Sequence, residues 1–517
     1  MQLIWNGGIG TYVKATHESH ADADDRANDQ LRVDADQLKC EVFGEGGNLG
    51  LTQAARIEFA LNGGALNTDF IDNSAGVDCS DHEVNIKIAL DEIVAAEDLT
   101  EKQRNETLEA MTEEVAQLVL TNNARQVQTL SLAQRHAQSR QAEYQRFIHR
   151  MEVDQRLERE MEVLPSDDEI SERFGRGAGL ARPELAVLLA YAKIHIKQNL
   201  VQSNIHADRL IGNQVTQLFP DSLTNRHAQA LHSHRLSREI IATELANDVV
   251  HHMGITFVIH LMESVGGNVS EIVRAYFAAA ASFDIRENYR AIEQLTGVSE
   301  ELKLELLLEQ IRLGRRVTRW IMRHRRQFGD TGQFIDTFKH RIAQLNAQRD
   351  RFPETAGSAR FGRRTQELCT AGLPEAIAKQ CAAANDIAVA LPIIDAADGA
   401  NAELLAVAQA YVELGQSLRL GWLREQLGDM TANSHWQAME RDSLLDDVAT
   451  HQSRLAAAAV SHAGGDIDQW MRSNQIFTQS WQRTIENIEH AGAPDFSLYS
   501  MTGRKLDDLC RGLVQGS

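Results

Sequence analysis

Apolar residues follow two different rhythms along this chain. In the first ninety residues, short apolar runs are each stopped by small polar ones. Leu3-Ile4-Trp5 ends at Asn6-Gly7-Gly8, and Cys40-Glu41-Val42-Phe43 ends at Gly44. Asn67-Thr68-Asp69-Phe70-Ile71 reads as a third strand, stopped by Asn73-Ser74-Ala75-Gly76. Between the runs, apolar residues recur at helical spacing. Ala55, Ile57, Phe59 and Ala60 follow Thr52 and stop at Gly63-Gly64, as a glycine-ended helix does. Ser80 and Glu83 stand at capping-box spacing, which predicts a helix opening at Ser80 and running through Val84, Ile86, Ile88 and Leu90. Strand, turn and helix in alternation is α/β patterning.

From about Leu99 the rhythm changes. Met111–Leu132, Pro183–Leu200, Arg238–Met253 and Leu302–Ile321 carry apolar residues three and four apart, with few strand signals. Pro183 suits a first helical turn. Phe477, Trp481, Ile485 and Ile488 form a further helical stripe. The expected fold is therefore α/β, a partial Rossmann-like sheet within residues 1–96, followed by a large all-α region over residues 97–517. A doubly wound sheet needs more strands than the three visible here. The expectation is that the chain begins inside a domain, whose open sheet edge an upstream segment or partner covers.

Composition narrows the function. With 73 acidic and 52 basic residues the formal charge is −21, which disfavours non-specific nucleic-acid and anionic-membrane binding. No apolar run approaches eighteen residues, so no membrane span is expected. The five cysteines, Cys40, Cys79, Cys369, Cys381 and Cys510, form no CxxC pair; neither a zinc knuckle nor a disulfide framework is indicated, and a reducing cytoplasm is expected.

Candidate chemistry concentrates between Gly44 and Glu83. Gly44, Gly46 and Gly50 after a strand imitate a phosphate-binding loop, with Asp69 or Asp72 about where a ribose-binding acid would stand. A purely structural turn, a pyrophosphate loop and another nucleotide-facing role all remain open on these residues. Asn73, Ser74 and Ser80 could bond a nicotinamide amide or a substrate carboxylate, but on these residues alone a turn at Asn73 and a cap at Ser80 are favoured. Cys79, His82 and Glu83 match no metal pattern. His251-His252 reads as core or surface, and the stretch from His17 to Asp25 as a solvated loop. Arg312, Arg315, Arg316, Arg319, Arg323 and Arg326 make one basic helical face; ion pairing with the protein's own acidic helices is favoured over an effector site.

The wording of the chain adds a resemblance. The run Leu3-Ile4-Trp5-Asn6-Gly7-Gly8-Ile9-Gly10-Thr11-Tyr12-Val13-Lys14-Ala15, then Asp25-Arg26-Ala27-Asn28-Asp29, then the block Gly44–Ile88, resembles the large bacterial NAD-specific glutamate dehydrogenases. Arg182-Pro183-Glu184-Leu185-Ala186-Val187-Leu188-Leu189-Ala190-Tyr191 and Thr318-Arg319-Trp320 resemble that family's C-terminal part. The resemblance implies oxidation of L-glutamate to 2-oxoglutarate and ammonia with NAD, in an enzyme longer than this chain. It implies that residues 1–96 are the second half of an NAD-binding domain. Glu45-Gly46-Gly47-Asn48 then lies beside the nicotinamide ribose, Asn73 approaches the nicotinamide, Ser80 helps hold the substrate carboxylate, and Asn6-Gly7-Gly8 lines the cofactor cleft.

Two departures matter, and a third is small. The family's pyrophosphate fingerprint and its catalytic lysine and aspartate are not among these residues, and neither Lys14 nor Lys39 replaces them. Gln53-Ala54-Ala55-Arg56 lacks the glycine expected before the arginine, a change expected to be neutral. Glutamate oxidation needs an acid–base pair, so the chain alone is expected to be inactive and to act with the upstream part of the same enzyme, in a homo-oligomer. The rival reading is a non-catalytic regulatory or oligomerisation module.

Overall fold

Two small pairs of parallel strands and a long succession of helices make up the chain. A computed structural model describes residues 2–324, 330–348, 356–384, 386–430, 434–490 and 495–514. They fall into two compact units, Met1–Arg274 and Ala275–Ser517. Among the described residues no single helix is long and apolar enough to cross a membrane.

In the first unit, β1 (Leu3–Asn6), β2 (Val13–Lys14), β3 (Val33–Asp34) and β4 (Val42–Glu45) pair as β1 with β4 and β2 with β3. Both pairs are parallel, and β1 and β4 end level, Asn6 opposite Glu45. Phe43 and, partly, Ile4 turn inward onto a core of Val13, Leu51, Ala55, Phe59 and Leu66. Helix α1 (Gln53–Leu61) starts where Thr52 accepts a hydrogen bond from the Ala55 amide and ends before Gly63 at φ +92°, as its sequence predicts.

The third strand is not formed. Only Ala65 bridges to Val42, and the segment behind it turns into α2 (Asp69–Asp72), a single helical turn. The reason is side-chain chemistry. Asp72 accepts the Glu45 amide at 2.9 Å and Asp69 the Leu49 amide at 2.9 Å, and both carboxylates face one way only if the backbone coils. Helix α3 (Ala75–Ala95) then starts five residues earlier than the capping-box spacing predicts. Ser80 therefore does not cap it; it is an exposed residue inside the helix.

The loop read as solvated is exposed over most of His17 to Asp25, and it is also pinned. Arg32, 6% exposed, donates to the carbonyls of Thr11 (2.9 Å) and His20 (3.3 Å) and to Asp29 (2.6 Å). Asp25 accepts from the Thr11 amide at 2.8 Å and Asn28 at 2.6 Å. A buried guanidinium needs several acceptors, and a winding loop supplies them.

The remaining helices of this unit that bear on the site are α4 (Thr112–His136), α5 (Arg182–Gln202) and α6 (Ser237–Met253), each where apolar spacing predicts one. Pro183 lies in the first turn of α5. His251 and His252 are buried on α6, His251 against Thr129 at 3.3 Å and His252 against Asp248 at 3.0 Å.

In the second unit, α7 (Glu300–His324) carries the arginine face. Arg319 donates to Asp446 at 2.8 and 3.0 Å and to Asp442 at 2.5 Å, and Arg323 lies 3.4 Å from Asp446. Burial opposes the charge of Arg319, but Asp446 and Asp442 outweigh it and hold the side chain protonated. At these two positions the face is an internal ion-pair seam; Arg326 lies outside the described residues. On α8 (Gln475–Glu489), Trp481, Ile485 and Ile488 are buried, whereas Phe477 is 44% exposed.

Candidate functional site

The level ends of β1 and β4 place two glycine turns side by side. In parallel sheets, ligands bind beyond the carboxyl ends of strands. The Gly47 amide donates to the Asn6 carbonyl at 2.9 Å, tying the turns together. Gly8 and Gly47 stack backbone on backbone: a Cβ on Gly47 would stand 2.7 Å from the Gly8 carbonyl carbon. Beside them, Asn73 donates through its side chain to Asn48 at 2.8 Å. Asn6, Gly7, Gly8, Gly46, Gly47, Asn48 and Asn73 thus belong to one connected surface. The Asn6 side-chain amide nitrogen is buried beneath the turn, beside Gly50, with no hydrogen-bond partner among the described residues.

Glu45 reaches this place by its backbone, but its carboxylate turns inward. Its side chain is 1% exposed and meets Arg56 in a two-pronged pair at 2.7 and 2.8 Å. The Leu51 amide adds a third bond at 3.1 Å, and Arg56 also lies 3.3 Å from Asp69. Burial pushes the Glu45 carboxyl upward, against the pull of Arg56. Burial also works against the Arg56 charge, yet its bonds to Glu45 and the nearness of Asp69 raise it. Glu45 therefore shapes the turn from beneath.

Ser80 stands apart from this bonded set, on the exposed side of α3. Lys14 is buried in an ion pair with Asp34, and Lys39 donates to the Asp36 carbonyl. Sequence reasoning missed Arg56, Asp69 and Asp72 as the anchors of the glycine turns. The spacing of Asp69 and Asp72 at i and i+3 was the available signal, since it suits one face of a helical turn.

A second charged group lies behind α3. Asp78 accepts from Asn122 at 3.0 Å, and Lys193 donates to Gln126 at 3.2 Å. Burial, with Asp78 and Asp248 adding to it, pushes the Glu244 carboxyl up to about 7. A carboxyl whose value is higher folded than unfolded holds its proton more tightly when folded. Its contribution is therefore complete below about 4.5 and is lost as the pH rises towards about 7. Denaturant melts at about pH 5 and about pH 7.5 should show stability falling across this window, and Glu244→Gln should flatten the fall.

Residues 177–508 match the family described as glutamate dehydrogenase, C-terminal, and residues 1–133 match bacterial NAD-glutamate dehydrogenase, catalytic domain. The NAD-specific glutamate dehydrogenase of Pseudomonas aeruginosa is 42% identical over 523 residues, covering 100% of this chain and 32% of that protein. Its namesake from Halomonas elongata is 41% identical over 516 residues, covering 98% of this chain and 32% of its own. That of Mycobacterium tuberculosis is 34% identical over 522 residues, covering 100% and 32%. The chain thus spans about a third of the length of these relatives.

Proposed function

The chain belongs to the family of bacterial NAD-specific glutamate dehydrogenases, and from that premise we propose that it contributes the nicotinamide side of the catalytic site in oxidative deamination of L-glutamate to 2-oxoglutarate and ammonia. The observation that carries this reading is the pair of level strand ends, with the Gly7-Gly8 and Gly46-Gly47 turns locked together and Asn73 bonded across to Asn48. Glycine at these positions carries no side chain of its own to obstruct a flat ring approaching the backbone.

NAD supplies the hydride acceptor. In this reading the residues of the chain bind and orient: Asn6 ends the strand that lines the cleft, the glycine turns offer backbone, and Asn48 with Asn73 offers side-chain amides. Glu45 holds its turn through Arg56, and Ser80 takes one end of the substrate carboxylate. Residues 1–96 are the second half of a Rossmann-like domain, and residues 97–517 its helical C-terminal region. Parallel sheets are normally covered on both faces, yet Leu3, Trp5 and Val42 are 55%, 61% and 40% exposed on one face of the β1–β4 pair. We therefore assign the covering of that face, and the lysine and carboxylate of the acid–base step, to residues outside this sequence.

The test is NADH formation from glutamate, with and without a co-expressed polypeptide supplying those residues. We expect no turnover from the chain alone and turnover with the complement. Turnover by the chain alone would overturn the division of labour. Folded protein that stays inactive in both cases, and binds no NADH, would favour the non-catalytic module.

A further inference from the structure

The Arg182-Pro183-Glu184 run opens α5, well outside the glycine turns in sequence, and its two charged side chains do different work. Glu184, fully buried, caps its own helix at the Ala181 amide (2.6 Å) and receives Arg173 at 2.8 and 3.0 Å. Arg182 points towards the candidate site. It donates to the Asn67 side-chain oxygen at 2.6 Å, and to Ser131 (3.1 Å) and the Val127 carbonyl (3.0 Å) on α4. Among the described residues no carboxylate bonds it directly, so its charge is answered through Asn67. Asn67 donates to Asp72 at 2.6 Å, and the other oxygen of Asp72 accepts the Glu45 amide, at the start of the Gly46-Gly47-Asn48 turn.

A second hold comes from α4. Asn123 donates to the Ile71 carbonyl and to the Ser74 hydroxyl, both at 2.8 Å, on either side of Asn73. The segment between is α2, four residues long. One helical turn cannot hold its own position, because helix nucleation is unfavourable without outside contacts. The planar, multi-donor guanidinium of Arg182 suits the task, since it can grip α4 and the Asn67 loop at once.

We propose that Arg182 and Asn123 are positioning residues for the nicotinamide turns, acting from the helical region through Asn67, Asp72 and the α2–α3 junction. The proposal deepens the reading given above and rests on it.

The experiment uses the full chain with Arg182→Gln, which keeps a polar side chain but removes the fork, and Asn123→Asp, which removes the donor at constant size. Amide hydrogen exchange is read at Glu45, Gly47 and Leu49, and NADH affinity by fluorescence titration. In Arg182→Gln we expect about tenfold faster exchange at Glu45 and Leu49 and about tenfold weaker NADH binding, the scale of one lost charge-assisted hydrogen bond. Asn123→Asp should loosen the same turns by way of Asn73. Arg182→Lys should not restore them, because an ammonium cannot serve all three acceptors together. Arg146→Ala is the control: it breaks a two-pronged arginine pair with Glu263 elsewhere in the same unit and should leave these amides unchanged. Unchanged exchange at Glu45 and Leu49 in Arg182→Gln, or equal loosening in Arg146→Ala, would overturn the proposal. Should Arg182→Gln fail to fold, Asn67→Ala cuts the same relay and is read identically. Absence of NADH binding by the unmodified chain would instead sink the site reading, while the exchange rates still decide the positioning role.

Discussion

Arg56→Ala should destabilise the first unit by about 3–5 kcal/mol, the cost of breaking a buried ion pair from one side. The guanidinium makes both bonds to a Glu45 side chain that is 1% exposed, and it lies 3.3 Å from Asp69. Without it, Glu45 keeps only the Leu51 amide, and two carboxylates face each other with no cation between. Burial already raises the Glu45 carboxyl, so the variant should take up a proton there. Its stability should then fall as the pH rises through that raised value, because the folded state binds the proton more tightly than the unfolded one. Urea denaturation followed by circular dichroism measures the loss. Adding Glu45→Gln to Arg56→Met should recover part of it, since an unpaired buried charge costs more than a neutral amide. A loss below about 1 kcal/mol would mean that the pair is screened as a surface bridge is.

Gly47→Ala is expected to have the largest effect on the glycine turns themselves. Its Cβ would meet the Gly8 carbonyl carbon at 2.7 Å and the Gly8 nitrogen at 3.1 Å, and backbone has no rotamer to move aside. The turns must separate, stretching the Gly47 to Asn6 hydrogen bond. Overpacking of this kind costs about 1–3 kcal/mol, and NADH affinity should fall at least about tenfold as the two surfaces part. Gly8→Ala is the contrasting case: its Cβ meets nothing within 4 Å, so stability should be unchanged. Gly46→Ala should be mild, because the atoms it meets belong to the exposed Trp5 ring, which can swing away. Melting temperature and NADH titration of the three variants separate these outcomes. Equal effects from Gly8→Ala and Gly47→Ala would refute the stacking argument.

Much of the helical architecture was legible because each helix buries one stripe and so repeats on its own period. The span of α7, the glycine end of α1 and the pairing of Arg319 with acidic side chains could all be read from local spacing and charge. The readings that failed share one cause. Asn67–Ile71 has a strand-like composition, yet its backbone coils because Asp69 and Asp72 bond amides of a distant turn. Ser80 has capping spacing, yet α2 runs almost directly into α3 and starts that helix earlier.

What the sequence determined by itself is the identity of the elements: two glycine turns after short apolar runs, a long helical remainder, and a wording shared with the bacterial NAD-specific glutamate dehydrogenases. Periodicity, caps and glycines act over a few residues, so they survive without a fold. What only the tertiary structure decided is which side chains meet. The bond from Arg182 to Asn67 spans 115 positions, and that from Asn123 to Ser74 spans 49. No local pattern encodes such partners, because each becomes favourable only once burial has excluded water and closed the intervening chain.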